Sequence, residues 1–124
     1  IILPHLKILY GDNNNIVKVL TDIHNNVLYL SRSKLPLEFK SINKFYKKHL
    51  SIISFKPSAL KKFNEFNKTP LEKSEDVELL RALEIGLKIK SFVLKGDSFS
   101  IDVFKDYKKA IEKFKKDKIS KNYR

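Results

Sequence analysis

Cysteine and methionine are both absent from the sequence. Without cysteine the chain can form neither a disulfide framework nor a zinc site built from thiolates. No apolar run in the sequence approaches the roughly 18 residues of a membrane-spanning helix, and no charged-then-apolar leader precedes a small-residue cleavage site. These absences predict a cytoplasmic protein that does not associate with a membrane.

Arginine is scarce, although the chain is strongly basic. The formal net charge is +12, and only three of the 26 basic residues are arginines: Arg32, Arg81 and Arg124. Arginine is the residue best suited to bidentate contacts with bases and phosphates, and the lysines are spread along the chain. We therefore expect no specific nucleic-acid binding, whereas a basic pocket would suit the polyphosphate of a nucleotide.

The sequence does not begin with methionine. It begins with the apolar stretch IILPHLKILY. A length of 124 residues with 42% hydrophobic and 32% charged residues is typical of one globular domain. We expect residues 1–124 to form a single, partial domain of a longer protein. Residues 1–10 fit neither a helical nor a strand period, and their structure is left open.

Strand and helix patterns alternate along the rest of the chain. Residues 16–20 and 27–30 are short apolar strands around a turn, which predicts a hairpin. Further strands are predicted at 49–55 and 88–94. Helices are predicted at 57–66 and beginning at 104, and residues 36–48 are predicted to form a short helix or a loop. The alternation predicts an α/β fold, and the hairpin indicates a mixed sheet.

The stretch TPLEKSEDVELLRALEIG, residues 69–86, has clear helix signals at both ends. Thr69 and Glu72 have the spacing of a capping box, and Pro70 suits the first helical position. Gly86 can adopt the left-handed conformation that ends a helix. We therefore predict one helix across this stretch. Its apolar stripe would consist of Val77, Leu80, Leu83 and Leu87.

Three charged residues of this predicted helix recur every third position. Glu75, Glu78 and Arg81 would share a sector of about 120° on a helix of 3.6 residues per turn. Such a sector is either a solvated face with an acid–base pair or part of a binding site. The helical spacing alone favours the solvated face.

The order of several motifs resembles a known family. PLE, two further glutamates and LLRALE follow KHLSIISF and precede SFVL and SIDVFKD. This order resembles the carboxyl-terminal half of the 3-deoxy-manno-octulosonate cytidylyltransferases, or CMP-Kdo synthetases, over about residues 15–117. The resemblance implies a mixed sheet flanked by helices, as in the C-terminal half of a nucleotide-diphospho-sugar transferase (Rossmann-like) fold. It also implies a homodimer.

The resemblance further implies a reaction and a cofactor. The anomeric hydroxyl of a 2-keto sugar acid would attack the α-phosphate of CTP, giving a CMP-sugar and pyrophosphate. Mg²⁺ would neutralise the phosphate charge, and Asp102 in SIDVFKD would be the catalytic carboxylate that binds the metal. The same aspartate could instead serve as the N-cap of the last helix.

The resemblance also assigns residues to the sugar. Arg32, in the segment VLYLSRS, would bind the sugar carboxylate through its guanidinium fork, and His49 would contact the sugar hydroxyls. Glu75 and Glu78 would orient the pocket, and Arg81 would hold those carboxylates in place. The alternatives are a surface arginine at the end of a strand and a histidine with a backbone partner.

The sequence departs from the family pattern at several of these motifs. Ser51 and Ile53 stand where a glycine and a tyrosine are usual, and Leu79 stands where many members have a glutamine. Two of these changes, Ile53 and Leu79, fall on the sugar side, which leaves a different sugar acid as an open alternative.

The Gly- and Arg-rich loop and the mid-sequence aspartate with which the family binds CTP and magnesium do not occur in these residues. We therefore expect no cytidylyltransferase activity from them alone. A noncatalytic dimerisation or binding module is the alternative from another class.

Overall fold

The computed structural model describes residues 1–8, 12–96 and 100–117. From the sequence, residues 96–98 (GDS) predict a turn and the residues from Lys115 to Arg124 predict a basic tail, and both lie largely outside these ranges. The strands are β1 (Ile2–Ile8), β2 (Lys18–Thr21), β3 (Val27–Ser31), β4 (Tyr46–His49) and β5 (Lys90–Val93). The helices are α1 (Pro57–Asn64), α2 (Pro70–Glu75), α3 (Leu79–Glu84) and α4 (Phe104–Lys116). No helix in the described ranges is long and apolar enough to cross a membrane.

The strands form one mixed sheet in the order β3-β2-β4-β1-β5. The β1–β5 pair is parallel and the other pairs are antiparallel, so the predicted α/β class and mixed sheet are confirmed. The predicted hairpin is also confirmed as β2 and β3. Its turn is stabilised by Asp22, whose carboxylate accepts hydrogen bonds from the backbone N–H groups of His24 and Asn26 at 2.8 Å each.

The strand predicted at 49–55 is wrong in its position. Strand β4 begins at Tyr46 and ends at His49, and beyond it the chain pairs with β1 through a bridge between Ile2 and Ser54. The helix offered as one alternative for 36–48 does not form. Instead, Glu38 accepts hydrogen bonds from the Tyr46 hydroxyl and the Asn43 backbone N–H, and these contacts hold the segment against the start of β4.

The single helix predicted across 69–86 is wrong, because the chain breaks at Asp76. This residue adopts the left-handed conformation (φ 52°, ψ 48°) and ends α2. Thr69 is the N-cap and Pro70 begins the helix as predicted, but the capping box does not form. Among the described residues the buried Thr69 hydroxyl has no hydrogen-bond partner, and Glu72 instead pairs with Arg81.

The predicted stop at Gly86 is confirmed. Gly86 has φ 78°, and its N–H donates to the Leu83 carbonyl at 3.0 Å. The Leu87 N–H donates to the Ala82 carbonyl at 2.8 Å. These two bonds form the Schellman motif that commonly closes a helix. They satisfy the last carbonyl groups of α3 and direct the chain towards β5.

The main core lies between the sheet and helices α1 and α3. Leu3 and Leu30 contribute from the sheet, and Leu79, Leu80 and Ala82 contribute from α3, all without solvent exposure. Burying a leucine side chain contributes roughly 1.5–3 kcal/mol. Because the break at Asp76 changes the phase of the second helix, Leu79 joins the core although it lies off the predicted stripe.

Helix α4 presents its apolar stripe to solvent. Phe104, Tyr107, Ile111 and Phe114 have the spacing of one helix face, and they are 71, 50, 39 and 56% exposed. The N-cap is Val103, so the prediction that Asp102 caps this helix is wrong. The carboxylate of Asp106, at the third position of the helix, accepts a hydrogen bond from the Val103 N–H at 3.3 Å.

Candidate functional site

Two cavities meet at the end of β4. Both are lined by His49 and Val17, and their volumes are about 190 and 340 Å³. The other residues of the first cavity are Asn13, Asn15, Ile16, Lys48, Ser51, Ser100, Asp102, Asp106 and Lys109. The other residues of the second are Lys68, Glu72, Asp76, Val77, Glu78, Leu79 and Arg81. The carboxyl end of β4 therefore serves two adjoining sites.

The first cavity is charged and polar. Lys48 is only 8% exposed, and burial lowers its pKa, while the nearby carboxylates of Asp102 and Asp106 oppose that shift. Lys109 adds a second ammonium group and pushes the pKa of Lys48 further down. Two cations and two carboxylates thus surround a small space that also contains amide and hydroxyl groups.

The second cavity is built around a buried ion pair. The Nε atom of Arg81 lies 3.1 Å from Oε2 of Glu72, although the two are not aligned as a hydrogen bond. The guanidinium also donates to the Phe66 carbonyl at 2.8 Å and stacks on the Phe63 ring, 4.0 Å from its centroid. Arg81 is therefore fixed from three directions. Glu78, at the start of α3, is exposed at the rim of this cavity.

His49 is positioned by the sheet. Its backbone N–H donates to the Val17 carbonyl at 2.8 Å, and burial lowers its pKa to about 4. The imidazole is therefore neutral at pH 7, so one ring nitrogen can donate a hydrogen bond and the other can accept one. The buried Nδ1 has no partner within the described part of the chain.

Beside His49, on the neighbouring strand, lies a second histidine that sequence reasoning missed. His5 of β1 is the cross-strand partner of His49 and has no solvent exposure. Burial lowers its pKa to about 4, and the charges of Lys47 and Lys7 act in the same direction. The sequence signal was one of only two polar residues, His5 and Lys7, in the opening strand, but the period of that strand could not be read.

Arg32 and Glu75 form a separate cluster at the end of β3. The carboxylate of Glu75 accepts hydrogen bonds from the Ser31 hydroxyl at 2.6 Å and from the Arg32 N–H at 2.9 Å. In return, Nε of Arg32 donates to the Glu75 carbonyl at 2.9 Å. The guanidinium makes longer contacts with the carbonyls of Asp76 and Asn14, at 3.3 and 3.4 Å.

The structure thus brings together four of the six predicted site residues. Asp102 shares the first cavity with His49, and Glu78 and Arg81 share the second cavity with it. The other two predicted residues, Arg32 and Glu75, contact each other but line neither cavity. The common helical sector predicted for Glu75, Glu78 and Arg81 does not form, because the chain breaks at Asp76.

Two of the residues that differ from the family pattern lie in different environments. Leu79 lines the second cavity, whereas Ile53 packs against the hydrophobic core and lines neither cavity. Sequence reasoning also missed Lys48 and Glu72 as cavity residues. Lys48 stands directly before the predicted His49, which was the available signal, whereas Glu72 was assigned to a capping box.

Comparison with known proteins shows the family to which the chain belongs. The sequence profile of the family described as Cytidylyltransferase matches residues 12–89. The chain belongs to the cytidylyltransferase family. A 3-deoxy-manno-octulosonate cytidylyltransferase of Leptospira interrogans is 36% identical over 115 residues, covering 93% of this chain and 46% of the relative. The cytidylyltransferase of the same name from Thermodesulfovibrio yellowstonii is 41% identical over 100 residues, covering 76% and 39%.

The fold of this cytidylyltransferase chain is shared with a solved structure. CMP:2-keto-3-deoxy-manno-octonic acid synthetase, determined in complex with CTP, superposes with a TM-score of 0.82 at 21% sequence identity. The match covers 93% of this chain and 48% of that enzyme. The predicted nucleotide-diphospho-sugar transferase fold is therefore confirmed. The chain spans about half the length of the relatives that it matches.

The oxygen atoms that line the first cavity are of the type that a hard divalent cation prefers. Asp102 is an exposed carboxylate, and Asp106 and the Ser100 hydroxyl supply further oxygens nearby. Within the described ranges no group of three or more histidine, cysteine, aspartate or glutamate side chains could hold a metal ion. Magnesium characteristically takes one or two protein carboxylates and completes its shell with phosphate and water.

Proposed function

We propose that this chain supplies the sugar-acid half of a CTP-dependent cytidylyltransferase that acts on a 2-keto sugar acid such as 3-deoxy-manno-octulosonate. The observation that supports this most directly is the second cavity, where neutral His49 faces Glu78 and the Glu72–Arg81 pair. A polyhydroxylated ligand needs donors and acceptors at fixed positions, and this set provides both.

Each residue has a distinct role in this proposal. His49 exchanges hydrogen bonds with sugar hydroxyls, and Glu78 accepts from them at the rim. Arg81 orients Glu72 and does not contact the sugar, because its guanidinium is already occupied by protein groups. Arg32 lies outside the second cavity but contacts Asp76, which lines it, and would bind the sugar carboxylate there by exchanging its long contacts with Asn14 and Asp76 for a bidentate one. Glu75 holds Arg32 at the strand end.

Asp102 is the residue that would hold magnesium in this proposal. Bound there, the metal would neutralise charge on the phosphates of CTP. The sugar hydroxyl forms a bond to the α-phosphorus and loses its proton to solvent water. The bond between the α-phosphorus and the bridging oxygen breaks, and pyrophosphate leaves with that electron pair. We further propose that this chain alone does not complete the reaction.

The proposal is tested by titrating the chain with 3-deoxy-manno-octulosonate in a calorimeter. We expect binding that His49→Ala weakens by about tenfold, as for the loss of one or two hydrogen bonds. His24→Ala is the matched control, because His24 lies in the exposed β2–β3 turn. Equal affinity in both variants, or no binding of the sugar acid, would contradict the proposal. Turnover of CTP by the chain alone would contradict the proposal that the chain alone does not complete the reaction.

A second candidate is a dimerisation module, which is favoured by the exposed apolar stripe on α4. Exposed apolar surface of this extent is characteristic of protein interfaces. Light scattering separates the two functions. A tight dimer that does not bind the sugar acid would favour the module, whereas sugar binding by a monomer would favour the proposed half-site.

A further inference from the structure

His5 and His49 stand opposite each other in the ladder between β1 and β4, where they are register partners. The His49 N–H points away from β1 and donates to the Val17 carbonyl, and the His5 carbonyl points away from β4 and accepts from the Leu94 N–H at 2.9 Å. The two residues are therefore a non-hydrogen-bonded pair, the kind in which opposite side chains come closest. Their Cβ atoms are expected about 4.5–5.5 Å apart. The two imidazoles are thus neighbours on one face of the sheet.

The nitrogen atoms of these two rings are poorly satisfied. Both ring nitrogens of His5 and Nδ1 of His49 are buried, and none of the three has a hydrogen-bond partner in the part of the chain that the structure covers. A buried polar group without a partner is costly, and native structures rarely leave one. His5 lines neither cavity, so a ligand bound in them would not satisfy it. The ring of His49 is the polar group that stands opposite it.

Each ring can serve the other because both are neutral at pH 7. Burial lowers the pKa of each histidine to about 4, and the charges of Lys47 and Lys7 add to the shift of His5. A neutral imidazole has one N–H donor and one acceptor nitrogen, so one ring can donate to the other. A half-turn of a ring about χ2 exchanges nitrogen and carbon positions without changing the outline of the ring. Packing therefore does not oppose the orientation that forms this bond.

We propose that His5 is a positioning residue for the sugar-acid site, because its imidazole hydrogen-bonds to Nδ1 of His49 and fixes the tautomer that His49 presents to the ligand. This assignment rests on the proposed function for the identity of the ligand. The bond satisfies two of the three unpartnered ring nitrogens. It also commits Nδ1 of His49, so Nε2 takes the opposite role, donor or acceptor, towards a sugar hydroxyl. His49 then meets the ligand as one tautomer and not as a mixture.

The first measurement is made on the parent chain without a ligand. In the chain labelled with ¹⁵N-histidine, we expect a scalar coupling across the hydrogen bond between ring nitrogens of His5 and His49. We also expect the ¹⁵N shifts of His49 to be those of a single tautomer at pH 7. The chain has three histidines, so replacing His5, His24 and His49 one at a time assigns the signals. His5→Leu should convert His49 to a mixture of tautomers.

The second measurement is the affinity for 3-deoxy-manno-octulosonate, determined by calorimetry. Apparent affinity falls with the fraction of molecules in the competent state, so His5→Leu should weaken binding by about two- to fivefold. The amide of asparagine or glutamine can replace one ring nitrogen, so His5→Asn or His5→Gln should restore the single tautomer and most of the affinity. Leu3→Val is the matched control, because Leu3 is buried two residues earlier on the same face of β1 and has no polar group. It should leave the tautomer and the affinity as in the parent.

The two measurements separate this inference from the proposed function. A mixture of tautomers and weaker sugar binding in His5→Leu, but not in Leu3→Val, support the inference. An unchanged tautomer or an unchanged affinity in His5→Leu overturns it, and it leaves the proposed function standing where His49→Ala still weakens binding. Equal effects in Leu3→Val also overturn it.

Two further results are decisive. A His49 tautomer that depends on His5, in a chain that does not bind the sugar acid, supports the positioning of His49 by His5 and contradicts the proposed function. Absence of the coupling between the two rings in the parent chain overturns the inference. Because this coupling needs no substitution, the test stays valid if His5→Leu does not fold.

Discussion

Arg81 of α3 and Glu72 of α2 form an ion pair across the break at Asp76, with 3.1 Å between Nε and Oε2. The side chain of Glu72 is 5% exposed, so its charge depends on this partner. The pair replaces the capping box expected at the start of α2. It joins two short helices, which are also linked by a hydrogen bond from the Leu71 N–H to the Glu84 carboxylate at 3.4 Å.

Removing Arg81 should be more damaging than removing Glu72. Arg81→Met leaves a buried carboxylate without a partner, which typically costs about 3–5 kcal/mol of unfolding free energy. Glu72→Gln should cost about 1–2 kcal/mol, because Arg81 keeps its contacts with the Phe66 carbonyl and the Phe63 ring. Urea denaturation measures both values. Glu78→Gln at the exposed rim is the control and should lie within about 0.5 kcal/mol of the parent. The reverse order would show that the pair is not the main contact of Glu72.

The left-handed conformation of Asp76 predicts a strong dependence on the residue type. Its φ of 52° is tolerated by aspartate and asparagine but not by β-branched residues. Asp76→Val should therefore lower the unfolding free energy by about 1–2 kcal/mol, whereas Asp76→Asn should change it by less than about 0.5 kcal/mol. Thermal and urea unfolding of the two variants test this. Equal stabilities would argue for a continuous helix through this position.

The buried His5 predicts that stability falls in mild acid. Folded His5 remains neutral down to a pKa of about 4, whereas in the unfolded chain it binds a proton near its ordinary pKa of 6.5. Between these values the unfolded state holds more protons, so the free energy of unfolding decreases as pH falls from 6.5 to 4, by up to about 3 kcal/mol for His5. His49 acts in the same direction and the same range.

His5→Leu should flatten this pH dependence. Leucine fits an apolar strand and cannot be protonated, so part of the slope between pH 6.5 and 4 should disappear. Urea midpoints at three pH values across this window measure the change. His24→Leu in the exposed turn is the control and should keep the full slope. An unchanged slope in His5→Leu would mean that the groups responsible lie elsewhere.

Lys18 predicts a large loss of stability for a charge-removing substitution. Its ammonium group donates to three backbone carbonyls, those of Asn13, Ile16 and Arg32. Lys18→Met keeps the length of the side chain but removes these donors, and we expect a cost of about 2–3 kcal/mol. Chemical denaturation measures it against Lys73→Met, an exposed lysine of α2 that should change stability by less than about 0.5 kcal/mol. Similar values for both would show that solvent satisfies the carbonyls equally well.

Sequence reasoning located the elements best where local chemistry decides them. Pro57 and Pro70 begin α1 and α2 as predicted, because proline suits the first helical position. Gly86 ends α3 as predicted, because a left-handed residue closes a helix at low cost when it is glycine. The β2–β3 hairpin follows from two short apolar runs around a polar turn.

Sequence reasoning failed where distant partners compete with local signals. Glu72 has the spacing of a capping box, yet it pairs with the guanidinium of Arg81, nine residues later. The apolar run after His49 resembled a strand. The strand instead forms at Tyr46–His49, where the Tyr46 hydroxyl donates to Glu38. Neither Lys48 nor His5 could be assigned to a cavity or the core without knowing which strands pair.

The sequence by itself determined the α/β class, the hairpin, the starts of α1 and α2, the stop at Gly86 and the order of motifs that identifies the family. These features depend on neighbouring residues or on their linear order. Only the tertiary structure decided that α2 and α3 are separate, that His49 ends β4 between two cavities, and that Arg32 and Glu75 bind each other. The reason is that burial, ion pairing and strand register depend on residues far apart in the chain, whose proximity no local pattern contains.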